Sequence, residues 1–191
     1  MTREEVLEKV SKKREEFISW YHEFHQIPEL GFEEKETTEL ICEKLTGMGI
    51  HPLRLDPTGV TAYVGPHDAY TVGLRADIDG LRVSEDTDLP FQSKHPGKMH
   101  ACGHDCHTGV GLAIAHWIAD HSDELCGTIK LLFQPAEAGT RGGMALAQTG
   151  LLDDVDNLIA SRIACTPRLG EITVTDPGYN ATIKFDVHFE G

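Results

Sequence analysis

Residues 99–107 concentrate side chains that bind metal ions or transfer protons. They read MHACGHDCH and bring three imidazoles, two thiols and a carboxylate into nine positions. Cys102 and His104 lie on either side of a glycine, so a tight turn ahead of a helix can aim both at one point. A thiolate and an imidazole together suit zinc or a similar divalent ion. Asp105 can orient an imidazole by accepting its second N–H.

Three other interpretations of Cys102 and His104 stay open at this stage. A structural zinc site needs two further ligands in a paired spacing, but the sequence contains no C-x-x-C pair. A thiolate beside an imidazolium at a helix N-terminus can act as a nucleophile. Both side chains can also simply pack in a core. His107 and Cys106 are expected only to line the first turn of the following helix.

A carboxylate follows the apolar run 128–133, in the segment FQPAE at 133–137. Ligand sites in open α/β sheets form beyond the carboxyl ends of strands, so Glu137 is well placed for function. Near a divalent ion it can take a proton from bound water, whose pKa falls from about 15.7 towards about 7. Glu137 is therefore our candidate general base. The alternative is a solvated loop glutamate.

A second apolar run ends in acidic residues, in the segment LRADIDG at 74–80. Asp77 can hold a ligand residue or the metal itself. Either Asp77 or Asp79 can instead cap a turn, and on these residues alone we favour the cap.

The elements that carry these residues alternate between helices and strands. Apolar residues recur at helical spacing in two N-terminal segments, and short apolar runs predict strands on both sides of a buried helix. Continuous apolar strands alternating with helices indicate an α/β fold whose sheet is covered on both faces. The predicted helices cover 4–26, 34–47 and 108–118, and the predicted strands cover 60–64 and 71–74 (joined by a turn), 128–133, 158–163 and 171–174.

A strand with one exposed face is predicted near the end of the sequence. Apolar and polar residues alternate strictly from position 183 to 189, which is typical of a half-buried strand. Such a strand needs partners in its sheet, and no sequence follows that could supply them. We therefore expect one domain over residues 1–179 and the first strand of a second, incomplete domain over 180–191.

Composition limits the partners and the compartment. The formal net charge of −14 at pH 7 opposes binding to nucleic acid or anionic membranes, since both need clustered Lys and Arg. No apolar run approaches the roughly 20 residues that span a bilayer, and the charged N-terminus MTREEVLEKVSKKREE does not read as a signal peptide. Five cysteines, an odd number, do not indicate a disulfide framework. We expect a cytoplasmic protein with reduced thiols.

Four motifs occur together that resemble those of the M20 peptidases and amidohydrolases, in particular the branch with aminoacylases, auxin-conjugate hydrolases and the A component of p-aminobenzoyl-glutamate hydrolase. The motifs are HEFHQIPELGFEE at 22–34, LRADIDG at 74–80, MHACGHDCH at 99–107 and FQPAE at 133–137. Residues 139–157 and 181–191 most resemble that A component. The resemblance implies a zinc-exopeptidase-like, three-layer α/β sandwich that continues into a ferredoxin-like lid domain, which often dimerises. Residues 180–191 would be the first lid strand.

The resemblance also implies roles for single residues. Cys102 and His104 would bind the metal, which would be Mn or Zn. Glu137 would be the catalytic base, and Asp77 would support the site.

Two positions depart from the family pattern. The family usually has a second, metal-binding glutamate directly after the base, where this sequence has Ala138. A histidine ligand is expected within 158–164, and the residue that matches best is Arg162, a permanent cation that cannot coordinate a metal. The remaining family ligand would lie beyond the lid.

The expected reaction of the intact parent architecture is hydrolysis of the amide bond of N-acyl or N-aroyl amino acids, such as p-aminobenzoyl-glutamate, by metal-activated water. The parent can be a homo- or hetero-oligomer. We expect weak metal binding and impaired turnover in this truncated chain, because two candidate ligands remain where catalytic sites normally use three. The alternatives are a non-catalytic remnant or binding subunit of the same fold, and a hydrolase that uses Cys102 as nucleophile.

Overall fold

The computed structural model of the protein describes residues 2–67, 70–139, 141–164, 168–173 and 187–188. Three helices are followed by three strands, and helices and strands then alternate, with a short 3-10 helix, Ser122–Glu124, after the longest helix. In chain order the elements are α1 (Arg3–Lys12), α2 (Arg14–His25), α3 (Lys35–Gly47), β1 (Leu53–Arg54), β2 (Val60–Val64), β3 (Thr71–Asp77), α4 (His104–Asp120), β4 (Thr128–Gln134), α5 (Gly142–Gln148) and β5 (Asn157–Ala160).

The strands form one mixed sheet in the order β1-β2-β4-β3-β5. Strand β3 runs parallel to β4 and β5, whereas β2 runs antiparallel to β4 and β1. In the parallel pair, Asp77 lies opposite Gln134, so β3 and β4 end at the same edge of the sheet. The predicted α/β class is confirmed, and its central parallel pair defines the edge where the candidate site lies.

The main core lies between one face of the sheet and helices α2, α3 and α4. Phe24, Ile41, Leu112 and Phe133 are each at most 1% exposed, and burial of such a side chain stabilises the fold by about 1.5–3 kcal/mol. The opposite face of β4 is covered by the segment after α5, because the buried Lys130 contacts the Leu151 carbonyl and the Asp154 carboxylate. The sheet is therefore covered on both sides along β4, as its continuous apolar sequence predicts.

Several predicted elements differ from those observed. The single helix expected over 4–26 is wrong: the chain breaks at Lys13, between α1, in which every residue is at least partly exposed, and α2, which buries Trp20 and Phe24. Strands β2 and β3 are not neighbours, because β4 lies between them. The strand expected over 158–163 ends at Ala160.

Two further predictions concern the C-terminal part of the chain. The described residues 171–173 form no strand, contrary to the strand predicted at 171–174. The strand and the domain boundary predicted at about residue 180 lie outside the described residues, apart from positions 187 and 188. None of the helices that the structure describes is both long and apolar enough to cross a membrane.

Candidate metal and acid–base site

Three segments meet at the carboxyl edge of the parallel strands. Asp77 is the last residue of β3, Glu137 follows β4 by three positions, and α4 begins at His104. Gly103 has φ 75°, a left-handed conformation that glycine adopts without steric cost, and it turns the chain from Cys102 into the helix. The turn predicted from the glycine between these two residues is present, and it brings them to the same edge.

His104 is fully buried, and its ring is oriented by an acidic residue. Its Nδ1 lies 3.1 Å from Asp79 Oδ1, and its Nε2 lies 3.6 Å from Glu137 Oε2 and 3.8 Å from Asp77 Oδ2. Burial opposes protonation of His104, but the bond to Asp79 and the surrounding carboxylates outweigh it and raise its pKa. Among the described residues Nε2 has no hydrogen-bond partner, so it points at the acidic side of the site.

Asp79 binds both the His104 ring and the backbone that follows β4, whereas the sequence suggested for it only a turn cap. Its Oδ1 accepts the backbone N–H of Glu137 at 2.9 Å, and its Oδ2 accepts that of Ala138 at 2.8 Å. Burial alone would raise the pKa of Asp79, but the bonds from His104 and from these N–H groups hold it below its usual value. Asp79 therefore fixes both the His104 ring and the backbone that carries Glu137. It is the turn-capping carboxylate that the segment LRADIDG allowed.

Asp77 is buried at the same edge, and each of its carboxylate oxygens contacts one side chain. Its Oδ1 lies 2.5 Å from His107 Nδ1, and its Oδ2 lies 2.9 Å from the Arg75 guanidinium. Burial would raise its pKa, but the bond to His107 and the nearby positive groups lower it. Asp77 thus contacts His107 and Arg75 and does not face open space.

His107 has a larger part than lining the first turn of α4. It is 2% exposed, and its Nε2 accepts the backbone N–H of Ile163 at 2.8 Å while Nδ1 contacts Asp77. The signal for it was available, because His104 and His107 are three positions apart and therefore share one face of the helix.

Asp77, His104 and His107 each offer a donor atom within 4.8 Å of the others, which is close enough to share a metal ion. Both ring nitrogens of His107 are engaged, however, by Asp77 and by the backbone N–H of Ile163, whereas Asp77 Oδ2 forms an ion pair with Arg75. His107 is therefore not available as a ligand in the observed arrangement, whereas His104 Nε2 and Asp77 Oδ2 have no hydrogen-bond partner among the described residues.

Arg162, which follows β5, reaches into the same place. One guanidinium nitrogen lies 3.3 Å from Glu137 Oε1 and 3.8 Å from Asp77 Oδ2, and the other lies 3.8 Å from Cys102 Sγ. The predicted residues Cys102, Glu137 and Asp77 are therefore brought together, but around a guanidinium. Zinc needs ligands at about 2.0–2.3 Å, so an ion bound here would have to displace this cation. The residues present do not fit a bound divalent metal ion.

A second acidic–imidazole network lies beside the site. Asp105 orients an imidazole, as its position suggested, but the imidazole is that of His25, with 2.5 Å between Asp105 Oδ2 and His25 Nδ1. The other ring nitrogen of His25 contacts Glu85 at 3.1 Å. Burial would lower the pKa of His25, but the two carboxylates raise it. The Asp105 side chain thus links α4 to α2, and among the described residues it forms no hydrogen bond with the His104 ring.

Known proteins share both the sequence pattern and the fold of this chain. The sequence profile of "Peptidase family M20/M25/M40" matches residues 73–189. The chain is 40% identical over 168 residues to an IAA-amino acid hydrolase (ILR1-like 5) of Arabidopsis thaliana, covering 84% of this chain and 38% of that protein. It is 31% identical over 223 residues to a Haemophilus influenzae homolog of the A component of p-aminobenzoyl-glutamate hydrolase, covering 92% of this chain and 53% of that protein.

The fold also matches a solved structure. The Bacillus subtilis YXEP protein, described as a dinuclear metal binding peptidase, superposes with a TM-score of 0.75 at 37% identity, over 80% of this chain and 43% of that one. The chain thus spans 38% to 53% of the length of these relatives.

Proposed function

The chain belongs to peptidase family M20/M25/M40. From this we propose that it carries the general base of a hydrolase for N-acyl or N-aroyl amino acids. We also propose that its own turnover is impaired. The substrate class is supported by the relatives, whose names specify hydrolysis of IAA-amino acids, of indole-3-acetyl-aspartic acid and of p-aminobenzoyl-glutamate. These substrates join an acyl group to an amino acid through an amide bond.

The observation that carries the proposal is the position of Glu137. Its backbone N–H is bound by Asp79, while its side chain remains 33% exposed beside the buried His104. A carboxylate in this position can reach a water molecule at the edge of the site. Glu137 would take a proton from this water as the new C–O bond forms, and would return it to the amide nitrogen as the C–N bond breaks.

The expected impairment of turnover rests on Ala138 and Arg162, which stand where the family has metal ligands. A catalytic divalent ion lowers the pKa of bound water from about 15.7 to about 7, and neither Ala138 nor Arg162 can bind such an ion. Arg162 can stabilise negative charge through its N–H groups but cannot ionise water. We therefore expect Glu137 to act on weakly activated water, so turnover is slow.

The same observation favours a second candidate, a non-catalytic subunit with the family fold. A permanent cation at the point where Cys102, Asp77 and Glu137 converge is compatible with binding an acidic or amide ligand without cleaving it. The third candidate, a Cys102 nucleophile, lacks support, since within the described part of the chain the Cys102 sulfur accepts a hydrogen bond from Arg162 and forms none with an imidazole.

The experiment is an amine-release assay on p-aminobenzoyl-glutamate and N-acetyl amino acids, with chelator or with added Mn or Zn. Wild type is compared with Glu137→Gln and with the control Glu124→Gln, which alters an exposed carboxylate. We expect slow, chelator-insensitive release that is lost in E137Q and kept in E124Q. Chelator-sensitive turnover in the usual range of about 1–1000 per second would contradict impairment. Equal inertness of all three proteins would favour the non-catalytic subunit, and inactivation by thiol alkylation would favour Cys102.

A further inference from the structure

We propose that the Arg162 guanidinium replaces the metal ion in this chain, so that the site is a metal-free version of the family centre in which a guanidinium pairs with Glu137 and Asp77. The inference rests on the family membership behind the proposed function. It deepens that proposal, because it names the group that occupies the position of the metal ion. It concerns cation binding, which can be measured without any turnover.

The contacts of Arg162 are those of a cation shared by several acceptor atoms. One nitrogen serves Glu137 and Asp77, at 3.3 and 3.8 Å, and the neighbouring nitrogen serves the Cys102 sulfur at 3.8 Å. A guanidinium is planar, always charged and directs several N–H groups outward. It can therefore donate to several acceptor atoms around it, which a metal ion would bind at shorter range.

The backbone of Arg162 is fixed by contacts of the residues on both sides of it. Strand β5 pairs with β3 in a parallel register that aligns Ala160 with Arg75. The backbone N–H of Ile163 then donates to His107 Nε2 at 2.8 Å. Arg162 lies between these two anchors, so its side chain starts from a fixed point at the edge of the site.

Two guanidinium groups already offset most of the negative charge of Asp77, Asp79 and Glu137 and oppose an additional cation. Asp77 already pairs with Arg75 at 2.9 Å, and Arg162 adds a second guanidinium beside Asp77 and Glu137. A divalent ion would approach two fixed positive charges in a region where Asp77 and His104 are buried. Like charges repel most strongly where water is excluded.

Removal of this cation should therefore expose a latent metal site. Arg162→His removes the guanidinium and adds an imidazole at the position where the family resemblance expects a histidine. Together with Cys102 and His104 this gives three protein ligands, the number that catalytic zinc sites normally use.

The test is equilibrium dialysis of the full chain against Zn²⁺, with bound zinc measured by elemental analysis. The proteins are wild type, R162H, Arg162→Lys, which keeps the charge, and Arg54→His, a control in which the altered arginine pairs with Glu39 away from the site. We expect R162H to bind one zinc ion per chain at least about tenfold more tightly than the other three, the scale of changes made around metal ligands. Adding Cys102→Ser to R162H should abolish this gain.

Stoichiometric zinc binding by wild type, with protection of Cys102 from alkylation, would overturn the inference. So would a folded R162H that binds no better than R54H. If R162H fails to fold, as judged by circular dichroism, Arg162→Gln takes its place: it should also bind zinc more tightly than wild type, and an unchanged affinity would overturn the inference. If zinc binding follows the expectation but no protein hydrolyses the amide panel, the proposed function fails and this inference stands.

Discussion

Asp79 and His104 are joined by a contact of 3.1 Å between Oδ1 and Nδ1, and this pair links helix α4 to the loop that carries Glu137. The same carboxylate accepts the backbone N–H groups of Glu137 and Ala138. One buried acidic residue, separated from His104 by 25 positions, therefore fixes both the orientation of the imidazole and the backbone of the candidate base.

Asp79→Asn should destabilise the fold by about 1–3 kcal/mol, because one oxygen that accepts N–H groups becomes an amide donor facing other donors. Urea denaturation measures the change. Asp123→Asn, at an exposed position, is the control and should leave the midpoint unchanged. An unaltered urea midpoint in D79N would mean that the hydrogen bonds of Asp79 do not stabilise this edge of the sheet.

Gly103→Ala should destabilise the fold by about 1–2 kcal/mol, because the left-handed φ of 75° suits glycine and penalises a Cβ atom. Gly109→Ala is the matched comparison inside the same helix, where an added Cβ meets Tyr21 at an ordinary 3.7 Å. It should be neutral or stabilising by up to about 1 kcal/mol. Thermal unfolding of both variants measures the difference, and equal shifts of the same sign would contradict the turn at Gly103.

The pair of Lys130 and Asp154 should make stability depend on pH. Burial acts to raise the pKa of Asp154, but hydrogen bonds from Lys130 and Tyr63 outweigh it and hold the pKa below 3.8. The contribution of this carboxylate is therefore fully present above that value and is lost as the pH falls through the lower folded pKa.

Asp154→Asn should accordingly be less stable than wild type at neutral pH, with a difference that shrinks at low pH. Urea titrations between about pH 7 and about pH 3 follow the difference. Asp153→Asn, the exposed neighbour, should show a smaller and less pH-dependent change. A D154N difference that grows as the solution is acidified would contradict the assigned pairing.

Much of the fold follows from local patterns in the sequence. The continuous apolar run of β4 and the helical spacing in α3 and α4 predict elements that are present, since burial of these residues determines their conformation. The break at Lys13 was not predictable, because the neighbouring residues KKREE are all compatible with a helix. It reflects tertiary packing, in which α2 contacts the core and α1 does not.

The candidate site was predictable only in part, and for a related reason. Cys102, His104 and Glu137 stand out by residue type and by their place at element ends. The contacts of His107 and Asp79, and the position of the Arg162 guanidinium, depend on how β3, α4 and β5 pack together. Sequence identifies Arg162 as a departure from the family, but only the three-dimensional arrangement brings its guanidinium next to Glu137.

Anomalous X-ray diffraction from wild-type crystals grown with zinc would show most directly whether a guanidinium or a metal ion occupies the site. We predict no zinc peak between Cys102 and His104, with electron density for the Arg162 guanidinium beside Glu137. A zinc peak about 2.3 Å from Cys102 Sγ and about 2.0 Å from His104 Nε2, with Arg162 turned away, would contradict this prediction.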